Sequence, residues 1–355
     1  MAAPDRNQVL ILGGGALAHK LAASFRDLGV APHVGSLEGG VPAHLAYAPP
    51  ALTVVCEPAS PEQLSELEDA TGSFIVPSVE ACAMTRNREG VRRTAAEQLG
   101  LPTLDYEFAG SFEELQNVAE VVGYPCVVKP GTSTGGRGQT VVTGSDDLAE
   151  AWEKAYDPSR DGRVGVEKYV AFDYECTILA ARSIDPQTGQ LATWFCEPTG
   201  TRHEGGRLVE AWQPAALSEA AMDNARSIAA RIMGAIAARG LYAIDLFVSG
   251  DDVYFSQVCP RPCLDGMLTA VTQRVGQFDL HARAVLGLPI DVTLVTPGAA
   301  RVVEGTSATP EELAAAMSVE ETSAQVLDDV ICVLSTGETV DEARARAEAG
   351  AAALG

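Results

Sequence analysis

One glycine-rich stretch, residues 124–142, limits what this chain can fold into more than any other. Two β-branched runs, Val127-Val128 and Thr140-Val141-Val142, flank a loop carrying Gly131, Gly135, Gly136 and Gly138. That is the pattern of strand, tight turn, strand. A strand rather than a helix follows the loop, which separates it from nucleotide-binding loops whose glycines open a helix N-terminus. Glycines let backbone N–H groups approach phosphate oxygens closely. The Ser133 and Thr134 hydroxyls add donors, and Lys129 and Arg137 add positive charge. Such a loop is suited to cover a polyphosphate; a plain hairpin with a glycine-rich turn is the competing reading.

Composition restricts the partners. A chain of 355 residues exceeds one small core and suits about two or three packed units. Hydrophobic residues make up 46% and charged residues 21%, as in an ordinary folded protein rather than a disordered one. Lysine and arginine number 25 against 48 acidic residues, a formal net charge of -23. That excess argues against nucleic acid or an anionic membrane surface as the main partner, because both need clustered positive charge. An anionic substrate must then meet a local basic pocket. The longest apolar runs, such as residues 9–12, fall far short of a membrane span, and the N-terminus lacks an apolar secretory segment; a cytoplasmic location is expected. The eight cysteines show no zinc spacing and are expected to be small buried hydrophobes. Cys259 and Cys263 are the one close pair, and the prolines between them stiffen it away from a helical redox turn.

Residues 9–12 form an apolar strand that enters Gly13-Gly14-Gly15-Ala16 and then an amphipathic helix, the opening of a doubly wound α/β unit. The turn resembles a dinucleotide fingerprint, yet no acidic residue ends a second strand at the expected distance, so tight packing of helix on strand is preferred. Strands are expected at 53–55 and 74–76, with a helix between them opened by Ser60, Pro61 and Gln63. One charged helix is expected over 85–99, carrying Arg86, Arg88, Arg92 and Arg93. It is either a solvated face paired with Glu89 and Glu97 or an anion-facing surface. A capping box at Ser111 and Glu114 opens the helix that leads into the glycine-rich hairpin. Further strands are expected at 164–170, 174–181 and 193–198, then a polar loop at 200–214 with Arg202, His203 and Glu210. A helix at 218–239 is stopped by Gly240, and strands at 243–248 and 253–258 make Asp245 and Gln257 neighbours. Glu175, beside apolar backbone, suits an adenine and ribose pocket. A strand at 291–295, a helix capped by Thr309 and Glu312, a strand at 330–334 and a final helix from 340 complete the chain.

Blocks at residues 87–93, 123–130, 136–140, 172–175, 212–214, 246–248, 260–262 and 286–289 carry a resemblance to the ATP-grasp superfamily, and within it to the formate-dependent glycinamide ribonucleotide transformylase family. The resemblance implies an α/β ATP-grasp fold. Its parts are an N-terminal doubly wound (pre-ATP-grasp) domain at 1–84, the ATP-grasp domain at 85–298 with a flap subdomain at 124–190, and a small C-terminal domain at 299–355. It implies ATP and Mg2+ as cofactors, with Arg88 and Lys129 at phosphate-contacting positions. Ser133, Thr134, Gly135, Gly136, Arg137, Gly138 and Gln139 would form the lid. Glu167, Lys168, Tyr169 and Val170 would form the adenine hinge, Glu175 would hold ribose, and Asp245 and Gln257 stand at the magnesium positions. Phosphorylation of a carboxylate gives an acyl phosphate that an amine attacks, chemistry carried by positioning and charge neutralisation. The partners implied are a small-molecule acid and amine and a second copy of the chain. Arg137 and Arg261 join Arg88 and Lys129 as catalytic candidates, and Arg202 and Asp265 are substrate candidates.

Several residues depart from the family pattern. Asp245 and Gln257 stand for two magnesium-holding glutamates, which shortens one and removes the charge of the other. Arg137 replaces a lid lysine and brings bidentate geometry. Ala16 replaces a substrate-binding glutamate, a second is lost between Ser60 and Phe74, and the cations that hold a nucleotide phosphate have no counterpart at 327–340. Each lost contact to phosphate is worth on the order of 2 kcal/mol. The expected function is therefore an ATP-dependent carboxylate–amine ligase whose substrate is not glycinamide ribonucleotide. The family's own formyl transfer and a non-catalytic ATP-binding role are the alternatives.

Overall fold

Alternating apolar residues in the first eighty positions build a parallel sheet. β1 (Gln8–Leu12), β2 (Ala31–Gly35), β3 (Leu52–Val55) and β4 (Phe74–Val76) pair in the order β2-β1-β3-β4. The computed structural model describes residues 8–57, 59–132, 138–159, 162–236, 238–305 and 307–354. Successive strand side chains point to opposite faces. Val9, Ile11 and Val54 pack toward α1 (Ala16–Asp27), whereas Leu10, Leu12 and Val55 pack toward α2 (Pro61–Thr71). α2 begins where expected, with Ser60 and Gln63 exchanging hydrogen bonds around Pro61. β2 was not anticipated; it contains Pro32 and lies at the sheet edge, where a missing N–H is tolerated.

The helix expected over 85–99 is broken at Asn87. α3 (Val79–Arg86) ends there and α4 (Arg88–Arg93) starts. Asn87 adopts extended backbone (φ -98°, ψ 117°), and its side chain accepts from the N–H groups of Glu89 and Gly90. A π-helical turn follows at Thr94–Gln98.

A second, antiparallel sheet contains β5 (Tyr106–Ala109), β6 (Cys126–Pro130), β7 (Thr140–Val142) and β8 (Val164–Lys168), ordered β5-β8-β6-β7. α5 (Phe112–Val122) and α6 (Leu148–Ala155) cover one face, with Leu115 and Leu148 among the side chains against Val128 and Val166. β6 and β7 pair around the glycine-rich loop as the sequence predicts. At Ser111 half of the expected box forms: its hydroxyl accepts from Glu114 N, while the Glu114 carboxylate takes Gly110 N.

The third sheet is the largest. β9 (Tyr174–Ile184), β10 (Leu191–Phe195), β11 (Thr199–Glu204), β12 (Arg207–Gln213), β13 (Gly240–Ser249), β14 (Asp252–Cys259), β15 (Gly298–Glu304), β16 (Thr322–Val326) and β17 (Val330–Thr336) form it. They are ordered β14-β13-β9-β11-β12-β15-β17-β16, with β10 on β9. α7 (Glu219–Ile236) covers one face with Ile228, Ile232 and Met233. The helix ends before Gly240, which instead opens β13. α8 (Thr269–Thr272) is a single turn, and α9 (Gln277–Leu286) lies on the opposite face through Leu280. α9 also packs on α1 through Ala282 and Val285, which fixes the first sheet against the third. α10 (Pro310–Met317) and α11 (Val340–Ala352) close the chain, and the Thr309–Glu312 capping box forms.

Two sequence expectations are corrected here. The polar loop expected at 200–214 is the β11–β12 hairpin: Gly205 and Gly206, at φ 56° and 82°, supply the left-handed two-residue turn that hairpins use. The strand expected at 291–295 does not form, since Leu294 makes only an isolated bridge to Gln273. The ladder runs instead along β15, which pairs with β12 and β17, so the strands after 298 continue the third sheet. Among the described residues no helix is long and apolar enough to cross a membrane. All eight cysteines are free thiols, six of them buried.

Candidate functional site

β6 and β8 place Lys129 and Glu167 as diagonal neighbours on one face, since Lys129 pairs with Gly165 and Glu167 with Val127. Lys129 Nζ meets Glu167 Oε2 at 2.6 Å, and Arg92 Nη2, from α4, meets Oε1 at 2.6 Å. The three are buried, with Arg92 1%, Glu167 2% and Lys129 7% exposed. Burial alone pushes the Glu167 carboxyl up, but the charges of Arg92, Lys129 and Arg88 outweigh it and hold the group below the usual carboxylate range. The Lys129 ammonium is lowered, by burial first and then by the neighbouring arginines, against the pull of Glu167.

Arg88 links this sheet to the third one. Its N–H donates to Gly131 O and its Nε to Pro130 O, at the base of the glycine-rich hairpin. Its Nη1 donates to Gln257 Oε1 at 3.4 Å. Gly165, across from Lys129, is pressed by Phe108: a Cβ there would lie 3.0 Å from Phe108 Cε1 and in ordinary contact, at 3.8 Å, with Arg88 Cδ. The arginine-rich segment is not one surface, and its members go to different partners. Arg88 faces the seam between the sheets and Arg92 is buried beneath it, while Arg93 pairs outward with Glu89 and Glu97.

On the third sheet, Thr177, Asp245 and Gln257 are direct cross-strand neighbours on β9, β13 and β14. The β13–β14 register shifts just after Asp245, the kind of irregularity that re-aims side chains beside a site. Thr177 Oγ1 donates to Asp245 Oδ1 and Gln257 Nε2 donates to Oδ2, each at 2.7 Å. Burial, and then the negative charge of Asp265, push the Asp245 carboxyl up to about 7. Glu175, at the start of β9, meets His203 Nδ1 at 2.5 Å as an ion pair, and His203 Nε2 lies 3.9 Å from Asp265 Oδ1. Burial opposes protonation of His203, but Glu175, Asp265 and Asp245 prevail and raise its pKa.

These contacts fit a divalent cation in one respect. Asp245 is an acid in a desolvated place whose two oxygens, among the described residues, take hydrogen bonds from the neutral donors Thr177 and Gln257 and have no bonded counter-charge. Mg2+ is commonly held by one or two carboxylates with phosphate oxygens completing its shell. Asp245 would be the carboxylate. Gln257 would offer its carbonyl after a half-turn of the amide, which now presents nitrogen to Asp245. Among the described residues no three His, Cys, Asp or Glu side chains are grouped to hold a metal unaided, so the nucleotide would supply most of the oxygens.

The remaining candidates fall as follows. Ser133, Thr134, Gly135, Gly136 and Arg137 lie outside the described residues. Gly138 has φ +79°, and a Cβ there would sit 2.8 Å from Lys154 O; Gln139 follows it into β7. Lys168 N and Tyr169 N donate to Asp105 O and Pro125 O, and Val170 lies just past the end of β8. Arg202 does not face the seam chemistry: its guanidinium pairs with Glu204 and Glu210, and Glu210 is further held by Arg344. Its neighbour His203 is the residue on the face of Glu175. The polar-loop reading hid this, because without β11 there was no alternation to assign. Arg261 has no ion pair among the described residues and lies near Cys56 and Cys259, where it opposes the effect of burial on both thiols. The N–H groups of Gly14 and Gly15 are taken by Glu57 Oε1 at 2.8 Å each, and that of Ala16 by the Asp328 carboxylate. The turn is thus filled by the chain's own acids, in keeping with packing rather than a bound dinucleotide.

Residues 94–278 match the ATP-grasp domain family. The formate-dependent phosphoribosylglycinamide formyltransferase of Corynebacterium glutamicum (strain R) is 43% identical, over 99% of this chain and 95% of that protein. The solved glycinamide-RNase-transformylase T from Mycobacterium tuberculosis superposes with a TM-score of 0.80 at 33% identity, covering 98% of this chain and 100% of that one. A carboxyaminoimidazole ribonucleotide synthase from Aspergillus clavatus, complexed with ATP, shares the fold with a TM-score of 0.84 at 21% identity, over 99% of each chain. ATP or ADP occupies several such relatives, and Mg2+ is the family's usual companion to the nucleotide. The expectation of a substrate other than glycinamide ribonucleotide does not stand against these full-length relatives. It summed missing phosphate contacts position by position, whereas contact energies within one cleft are not additive and other cations can serve. The chain belongs to the ATP-grasp family, among the relatives of formate-dependent phosphoribosylglycinamide formyltransferase.

Proposed function

We propose that the chain is a formate-dependent phosphoribosylglycinamide formyltransferase that activates formate with ATP. The full-length likeness to proteins of that name carries the reading, and the seam between the second and third sheets supports its nucleotide half. A formate oxygen attacks the γ-phosphorus of ATP, and ADP leaves formyl phosphate behind. The amine of phosphoribosylglycinamide then attacks the formyl carbon, inorganic phosphate departs, and the nitrogen gives up a proton. Arg88 and Lys129 bind and orient the phosphates, and the chain from Glu167 to Val170 receives the adenine. Glu175 holds the ribose. Mg2+, held by Asp245 and Gln257, would neutralise phosphate charge.

Arg261, at the join of the first and third sheets and without an ion pair among the described residues, is suited to grip formate. Lys20 sits one helical turn beyond Ala16 on the same face of α1, also has no ion pair among the described residues, and is a cation available to the acceptor's phosphate. Eight free cysteines suit a reducing cytoplasm, and family resemblance supports a homodimer through the first and last units. The reaction is tested by ADP release. ADP formation that requires both formate and phosphoribosylglycinamide, with a formylated product by mass, is expected. ADP release no faster than with ATP alone would overturn the reading.

A further inference from the structure

Arg92 belongs to none of the roles above, yet it is the largest fully buried side chain among the described residues, at 1% exposure. It lies one helical turn after Arg88 on α4, so the two arginines share a face. Its fork reaches two sheets at once. Nη2 donates to Glu167 Oε1 at 2.6 Å on β8, and Nη1 donates to Phe255 O at 2.7 Å on β14. The guanidinium also stands 5.9 Å from the centre of the Tyr106 ring on β5. Glu167 divides its carboxylate, with one oxygen for Arg92 and the other for Lys129.

We propose that Arg92 is the positioning residue that sets the aim of Lys129. With Oε1 engaged by Arg92, Glu167 offers Lys129 a single oxygen, and the ammonium keeps donors for a phosphate. Without that engagement, Glu167 is a buried carboxylate with one counter-ion. It turns both oxygens on Lys129 and draws the ammonium away from the nucleotide. The second arm, on Phe255 O, anchors the same guanidinium two residues from Gln257, so the cationic and acidic walls of the seam are held at a fixed separation. A lysine in place of Arg92 keeps the charge but not the fork. This inference rests on the nucleotide seam assigned above.

The experiment is a double-mutant cycle on the full chain, reading ATP affinity by calorimetry in the presence of MgCl2. The proteins are wild type, Arg92→Lys, Glu167→Gln and the double variant. Arg92→Lys is expected to weaken ATP binding about tenfold in the wild-type background and less than about twofold in the Glu167→Gln background. The same factor in both backgrounds, or no loss in Arg92→Lys, would overturn the positioning role and leave Arg92 a structural tie. If Arg92→Lys does not fold, Arg92→Gln takes its place in the same cycle, with the same expected and overturning outcomes. Failure of wild type to bind ATP at all would instead remove the seam reading itself.

Discussion

Asp245 is held by a hydroxyl and an amide, with no cation bonded to it among the described residues, and that arrangement has a pH signature. Its folded pKa, pushed up to about 7, stands above an unfolded value of about 3.9. The folded state therefore binds the proton more tightly. The stability this contributes is fully present below the unfolded value and is lost as pH rises through about 7. His203 acts in the same direction, because its folded pKa is also raised. In chelator, the melting temperature is expected to fall between about pH 5 and about pH 8, and Asp245→Asn should flatten that fall. An unchanged slope in Asp245→Asn would remove Asp245 as its source. At this scale the sequence was legible where neighbours are set by a short turn: Asp245 and Gln257 meet across the Gly250-Asp251-Asp252 turn. It was silent on the pairing of Arg92 with Glu167, which spans 75 residues and follows from how α4 lies across β8.

Asn87 shows how an element's end aims a functional residue. The break between α3 and α4 lets Arg88 begin a helix and reach both the hairpin base and Gln257. Asn87→Ala removes the acceptor for two N–H groups and should cost about 1 kcal/mol in urea unfolding, with a weaker KM for ATP. Asn87→Asp keeps an acceptor and should lose less in both measurements; equal losses would show that the cap is not what aims Arg88. The caps at Ser60 and Thr309 were legible because they depend on side chains three residues apart. The helix expected over 85–99 was misread because charge periodicity runs straight through Asn87, and only its cap geometry reveals the stop. The β11–β12 hairpin was missed for a related reason: the polar residues Arg202, His203, Glu204 and Glu210 suggested a loop, although Gly205-Gly206 is a hairpin turn.

Across the whole molecule, the first sheet is fixed to the third, and the second faces the third across the seam. α9 packs on both the first and third sheets, and Arg88 with Arg92 joins the second sheet to the third. The doubly wound opening and the glycine-rich hairpin were legible because each is local. The continuation of the third sheet through β15, β16 and β17 was not, since β12 and β15 are brought together from positions far apart in the chain. The common claim is that ATP lies in the seam, with its phosphates between the Arg88 and Lys129 cations and the Asp245 wall. Calorimetric titration of the full chain with ATP and MgCl2 tests this most directly, comparing wild type with Arg88→Met combined with Lys129→Met. Binding by wild type and a loss of at least about a hundredfold in the double variant are expected. No binding by wild type, or undiminished binding by the double variant, would contradict it.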